Sequence, residues 1–406
     1  MATMNKIPSL SMKAWRCFFL ALAIASAQLL TQGALAAEPI RVGVTASLTG
    51  AYAVPGSNLL AGLKMWAHDV NARGALLGRE VEIVSYDDQS DPATSARLYE
   101  KLISDDRVDL LIGPYASDVT LAASEVAEGH GFPMVSGSAS ATDIWSRGYR
   151  NIFQVDTPAD RYMDLLIESA SNAGLTTIAL AYSGTDFPRE VARGVRARAG
   201  AAGIKIVFDK EYIEDSVDFT ELVLRIKETR PDLVIGGTYL NDSIAFVREA
   251  KRQNFSPKAL AFTVGPALIE FGEALGPDAD GILGVVSWMR SGNVPMSYDF
   301  SFRYKEMTGH NAGAHAAYGY AAGQVLEAAV RLADSLDRNA IRTQLQEMKF
   351  GSLLGRYRVD DSGEQLAKET FVMQWQNGHR LLVLPRERRD SPIIYPLIPW
   401  SERTQR

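Results

Sequence analysis

From Ile40 onward, short apolar runs alternate with stretches whose apolar positions recur every three or four residues. The run Ile40–Ala46 (IRVGVTA) reads as a buried strand, and 57–71 as a helix with Leu59, Leu60, Leu63 and Trp66 on one side. Further strands are predicted at 81–86, 108–113, 132–136, 176–182 and 232–237, each ended by Gly, Pro or small polar residues. Helical periodicity fills the intervals at 118–130, 158–173, 188–202, 219–229 and 242–253, and Asp91-Pro92 supplies an N-cap and a first helical position for another helix. Apolar strands spaced by amphipathic helices predict parallel sheets covered on both faces. Near the end the pattern changes: 372–376 and 381–384 flank Asn377-Gly378, which predicts an antiparallel pair around a tight turn.

The first 36 residues stand outside this pattern. Lys6, Lys13 and Arg16 precede a charge-free apolar stretch from Cys17, and Ala34-Leu35-Ala36 ends it with the small-x-small signature of a cleavage site. A cleaved export signal at 1–36 is therefore expected, with the mature protein in the periplasm. Arg16 beside Cys17 does not fit a lipobox. Cleavage leaves 370 residues, too many for one core, so two lobes are expected. The formal charge moves from −6 to −9, which argues against a nucleic-acid partner. The run Arg386-Glu387-Arg388-Arg389 is short and interrupted, and reads as a solvated face. Cys17 is the sole cysteine, so the mature chain has no disulfide, thiolate nucleophile or Cys-ligated metal.

Catalytic signatures are missing. The sequence has no G-x-G-x-x-G after its first strand, no phosphate-binding G-x-x-x-x-G-K-S/T and no H-E-x-x-H, so no cofactor and no metal are expected. His310 and His315 are five apart, which is not a ligand spacing, and read as surface polarity around a helix start. Ser136-Gly137-Ser138-Ala139-Ser140 lacks the nucleophile elbow, and His130 falls at the wrong end of its strand to serve it. Asp87-Asp88 and Asp105-Asp106 are explained by turns and caps. What remains is a set of small polar residues just after apolar strands: 113–117, leading into a helix at Asp118, and 136–140. Ligands of open parallel sheets bind beyond the strands' carboxyl ends, and helix N-termini there suit a carboxylate. Ser117 and Ser140 are candidate donors; on this evidence alone they serve equally well as helix caps.

In this setting the chain resembles the type I periplasmic binding proteins of branched-chain-amino-acid ABC importers, the Leu/Ile/Val-binding group. The resemblance rests on 40–44 with 48–50, on Tyr86-Asp87-Asp88-Gln89-Ser90-Asp91-Pro92, on 111–114, 133–136 and 147–149, and on 218–220 and 232–237. It implies an α/β fold of two Rossmann-like lobes with parallel central sheets, joined by a three-segment hinge. Crossovers are implied near 154–157, 286–288 and 353–355. One lobe then holds 38–154 plus 288–353, the other 155–287 plus 354–406. The same resemblance makes Ser117 a hydroxyl for a ligand carboxylate, Ala139 a backbone donor and Ser140 a hydroxyl donor. Phe187 becomes an aromatic wall, and Tyr239 falls where the family often puts one. Tyr52, Tyr115 and Trp288 are further walls on loop position alone.

One departure matters. Amino-acid-binding relatives place an acid after the strand that here runs through 261–265, to hold the α-ammonium; Val264 or Gly265 stands there instead. A buried ammonium without a partner costs several kcal/mol, against a total of about −8 kcal/mol for a micromolar ligand. Asp186 or Asp242 would have to substitute. The expected ligand is therefore an aromatic or otherwise hydrophobic carboxylic acid, delivered to an ABC permease by a monomeric, non-catalytic receptor. A hydrophobic amino acid or amide binder, a ligand sensor and, remotely, a secreted hydrolase are the alternatives.

Overall fold

The computed structural model describes residues 37–213, 218–291 and 293–403. The expected export signal, with Cys17, lies outside the described residues.

Five parallel strands form the first sheet: β1 (Ile40–Ala46), β2 (Val81–Asp87), β3 (Leu110–Ile112), β4 (Met134–Ser136) and β5 (Ile152–Gln154), in the order β2-β1-β3-β4-β5. Strands β3 and β4 are buried end to end and β1 at every position but Arg41, as a sheet covered on both faces requires. The second sheet has seven strands: β6 (Thr177–Ser183), β7 (Lys205–Tyr212), β8 (Leu233–Gly237), β9 (Ala259–Phe262), β10 (Leu283–Val286), β13 (Phe371–Gln376) and β14 (His379–Leu384). Its order is β14-β13-β10-β9-β8-β6-β7, parallel except for the β13–β14 hairpin and its pairing with β10. Asn377 and Gly378 turn that hairpin with φ of 51° and 74°, the left-handed pair a type I′ turn needs. A small pair, β11 (Phe350–Ser352) and β12 (Gly355–Tyr357), stands apart.

Helices α1 (Ala53–Ala72), α2 (Pro92–Ser104) and α3 (Ser117–Gly129) follow the first strands. Asp91 caps α2 by accepting from Thr94 N–H at 2.7 Å, with Pro92 at its first position as the sequence predicts. Helices α4 (Asp164–Asn172), α5 (Asp186–Ala201), α6 (Thr220–Glu228), α7 (Leu240–Arg252) and α8 (Ile269–Leu275) belong to the second sheet, which the chain leaves through α9 (Ser297–Thr308), α10 (Ala314–Ala333) and α11 (Arg338–Glu347). The short α12 (Trp400–Arg403) follows the last hairpin.

Helices α1 and α10 meet backbone to backbone. A Cβ on Gly62 would stand 1.8 Å from the Ala316 carbonyl oxygen, and one on Gly319 would stand 2.0 Å from that of Leu59. Gly323 makes room for the Trp66 ring, whose Nε1 donates to Glu327 at 3.1 Å. A helix crossing this close returns the chain to the first sheet and fixes where α10 begins, which sets one wall of the cleft.

The chain crosses between sheets three times: after β5, after β10 and after α11. The crossings are stitched together. Thr157 and Ser287 hydroxyls lie 3.3 Å apart, Gln365 N–H donates to Gln154 Oε1 at 3.0 Å, and Gln365 Nε2 donates to the Val155 carbonyl at 3.2 Å. These bonds hold a three-segment hinge at the floor of the space between two α/β lobes.

Gly319→Ala is expected to lower stability by about 1–3 kcal/mol, because neither helix backbone can retreat from the added methyl. Gly200→Ala, inside α5 with open space around its Cβ, should raise it by about 0.5–1 kcal/mol. Urea unfolding midpoints compare the two; equal shifts would show that the α1–α10 crossing yields.

Candidate functional site

Strand β3 ends in Gly113-Pro114-Tyr115-Ala116, and Ser117 opens α3. Ser117 Oγ accepts two hydrogen bonds from the turn after β4, from Ser140 N–H at 3.0 Å and Ala141 N–H at 3.1 Å. Both acceptor positions are thereby occupied, so toward any further group this hydroxyl acts only as a donor. Ser140 Oγ donates to the Ser138 carbonyl at 2.9 Å, and Ala139 N–H keeps no protein acceptor among the described residues. The turn tolerates only glycine at 137, where a Cβ would meet the Tyr318 carbonyl oxygen at 2.8 Å. Helix α10 thus seals the turn from behind.

These strand ends face the second sheet across a cavity of about 30 Å³. Tyr115, Ser117 and Ser138 line it from the first sheet, and Phe187, Tyr239 and Val264 from the second. Asp156 and Tyr162 reach it from the first crossing, and His315 and Tyr318 from the start of α10. The rings form a connected wall. Tyr115 meets His315 edge-on at 5.1 Å between centroids, His315 meets Tyr318 at 5.3 Å, and Tyr162 meets Phe187 at 5.4 Å.

Of the sequence-derived candidates, the structure brings Ser117, Tyr115, Phe187 and Tyr239 to this one cavity. Tyr52 lies behind its wall, 5.9 Å from Tyr115 and 5.0 Å from Tyr239 between ring centroids. Ala139 and Ser140 sit just beneath the lining, joined to it through Ser117 and Ser138. Trp288 lines a different cavity altogether. Asp186 and Asp242 do not line the cleft; Asp242 instead accepts from Tyr212 Oη at 2.6 Å and Ser243 N–H at 2.9 Å, and burial pushes its carboxyl up to about 6.

Two residues correct the sequence reading. His315 is not surface polarity but a buried wall of the cleft, 4% exposed, placed there by the close α1–α10 crossing. Its Nδ1 has no partner, and burial, with a smaller push from the Arg380 charge, drives the imidazole down to about 3. It is neutral at any physiological pH. Asp156 was overlooked. It follows the apolar run Ile152-Phe153-Gln154-Val155, the one hint available, and accepts from Thr157 N–H at 2.7 Å. Burial raises its carboxyl, against hydrogen bonds from Ser287 and Thr157 and the charge of Lys368. Lys368 is likewise held down by burial; its ammonium donates to the Leu354 carbonyl.

Among the described residues, no group of three or more His, Asp or Glu is placed to hold a metal, and no helix is long and apolar enough to cross a membrane.

Residues 39–380 match the family described as "Periplasmic binding protein", and the chain belongs to that family. The chain is accordingly a binding protein rather than an enzyme, and the curated relatives it matches are named Leu/Ile/Val-binding proteins. It is 25% identical over 396 residues to Leu/Ile/Val-binding protein homolog 7 of Brucella suis, covering 92% of this chain and 98% of that relative. A leucine binding protein from Thermotoga maritima superposes with a TM-score of 0.78 at 22% identity, over 84% of this chain and 97% of that one. A solute binding protein of an ABC transporter from R. palustris, in complex with benzoate, superposes with 0.76 at 21% identity, over 88% and 97%.

The His315 environment yields a pH dependence. Facing its ring are Tyr115, Tyr318 and the Arg380 charge. The unfolded chain binds a proton at His315 below about pH 6.5 and the folded chain does not, so this residue's contribution is complete above that value and lost as pH falls. Between pH 6.5 and about 4.5 the loss is about 2–3 kcal/mol, which His315→Phe should abolish. Parallel pH–stability curves for the two proteins would contradict a buried neutral imidazole.

Proposed function

We propose that this protein is the exported capture component of an ABC importer. It takes a small carboxylate-bearing solute, preferably an aromatic or other hydrophobic acid, between its lobes and hands it to a membrane permease. The carrying observation is Ser117: its hydroxyl can only donate toward the cavity, and a carboxylate is the acceptor that uses it best. The free N–H of Ala139 and the first-turn N–H groups of α3 add donors of the same sense. Tyr115, Phe187 and Tyr239 offer faces to a planar apolar body, while Val264 leaves the position after β9 without an acid, so that Asp156 is the one carboxylate in the lining. The benzoate-bound relative supports the class.

On this reading the export signal at 1–36 delivers a monomer to the periplasm. The lobes are 38–154 plus 288–353 and 155–287 plus 354–406, and Ser140, Tyr52 and the cleft rings support the ligand. A cavity of about 30 Å³ has room for only a water or so, so the hinge must open to admit a solute.

Asp156 favours a second reading, a hydrophobic amino acid whose ammonium it would hold. Against that, Lys368 already supplies a positive charge and burial moves the carboxyl toward its neutral form.

Thermal unfolding of the exported protein with benzoate, L-leucine and a simple amide separates the readings. A solute at a hundred times its Kd stabilises by about 2.7 kcal/mol. Benzoate is expected to raise Tm, and Ser117→Ala to weaken it by about tenfold, near 1.4 kcal/mol. A shift with L-leucine alone, lost in Asp156→Asn, would overturn the amine-free reading in favour of the second.

A further inference from the structure

A second and larger cavity, of about 530 Å³, opens beside the cleft and shares no lining residue with it. That volume is in the range of small-molecule sites. Its walls come from both sheets' surroundings: Trp288 and Arg290 from the crossing after β10, Tyr298 from α9, and Trp375 and Arg380 from the β13–β14 hairpin.

Three polar groups in it bear on a ligand. The Arg380 guanidinium donates to the Ala267 carbonyl and has no carboxylate within ion-pair distance among the described residues. Burial pushes it down to about 10, with only the Glu270 charge opposing. Trp288 is 1% exposed, and its Nε1–H, a donor with no other capacity, is buried without an acceptor. Arg290 lies over the Tyr298 ring at 4.7 Å, its charge exposed at the rim. The one carboxylate in the lining is already engaged, since Asp390 accepts from Ser291 Oγ at 2.7 Å and Leu382 N–H at 3.1 Å. The cavity is therefore net cationic, with an arginine that has no ion-pair partner among the described residues set among aromatic faces.

We infer that this cavity is a second binding site, for a small organic anion whose carboxylate engages Arg380 and whose planar apolar body lies among Trp288, Trp375 and Tyr298. An arginine fork matches a carboxylate in two parallel hydrogen bonds, and aromatic faces flank the planar remainder. Because the walls come from both sides of the hinge, occupancy of this site responds to the angle between the lobes. The inference does not depend on what the cleft binds.

The test is a benzoate titration followed by the indole N–H signals in an NMR spectrum, with Trp288→Phe identifying the Trp288 resonance. The expected result is a saturable shift of that resonance as an aromatic ring packs against the indole, preserved in Ser117→Ala, where cleft binding is weakened. Arg380→Gln should weaken the response by about tenfold or more. Arg380→Lys keeps the charge and can keep the Ala267 contact, so a folded variant with an intermediate response supports the fork. A Trp288 signal unmoved by millimolar benzoate, or one moved equally in Arg380→Gln, overturns the site. Equal displacement by sulfate overturns the organic-carboxylate assignment. A shift lost in Ser117→Ala but intact in Arg380→Gln reports the cleft alone, and rejects the second site while leaving the capture function standing.

Discussion

The arrangement of the cleft depends on one hydroxyl. By accepting from both Ser140 and Ala141, Ser117 ties the head of α3 to the turn after β4, and so locks two neighbouring strand ends into one surface. Those strands end side by side because β3 and β4 are adjacent parallel strands, which point their carboxyl ends the same way. The loss of two acceptor positions is what gives the site its sense. A serine with free lone pairs is indifferent to ligand polarity, whereas this one presents only a proton. The Gly137 turn can be so tight only because α10 packs on it, and α10 can be so close only because Gly62 and Gly319 let two helix backbones touch. The shape of the cleft thus rests on glycines far from it in sequence.

The hinge carries an unusual electrostatic load. Asp156 and Lys368 are both buried where the three crossings meet, and each is opposed by desolvation and favoured by the other's charge. Hydrogen bonds to Thr157 N–H and the Leu354 carbonyl anchor them to two different crossings. A hinge with charges at its floor is pinned by more than packing: any rotation that parts the segments also alters how well those charges are satisfied.

Much of the fold was legible in the sequence because its central strands are buried on both faces and read as uninterrupted apolar runs. Strand β7 was not, since Lys205–Tyr212 is an edge strand that exposes Lys205 and the consecutive Asp209, Lys210 and Glu211. Strand β5 is as short as β3 and β4 but has Gln154 breaking its apolar run. The helix foreseen over 158–173 is a 3-10 turn at Ala159–Arg161 followed by α4, because the chain first has to cross between sheets. At the site, Ser117 was recoverable because it follows a strand and opens a helix. His315 was not: histidine is ambivalent about burial, and the cause of its placement, a helix contact between residues some 250 apart in sequence, leaves no local mark. Asp156 was missed for the same reason, since its partner groups come from three separate crossings. Trp288 was foreseen as a wall of the cleft and lines the neighbouring cavity instead.

The small volume between the lobes has a kinetic side. With so little room between the lobes, each encounter with a solute must wait for the hinge to part, and the association rate is the intrinsic rate scaled by the open fraction. Release obeys the same gate, so residence time reports hinge opening as much as contact strength. On the proposed capture role, size selection takes place at re-closure: a molecule too bulky for the ring wall around Tyr115 and Phe187 enters freely, but leaves before the lobes can shut on it.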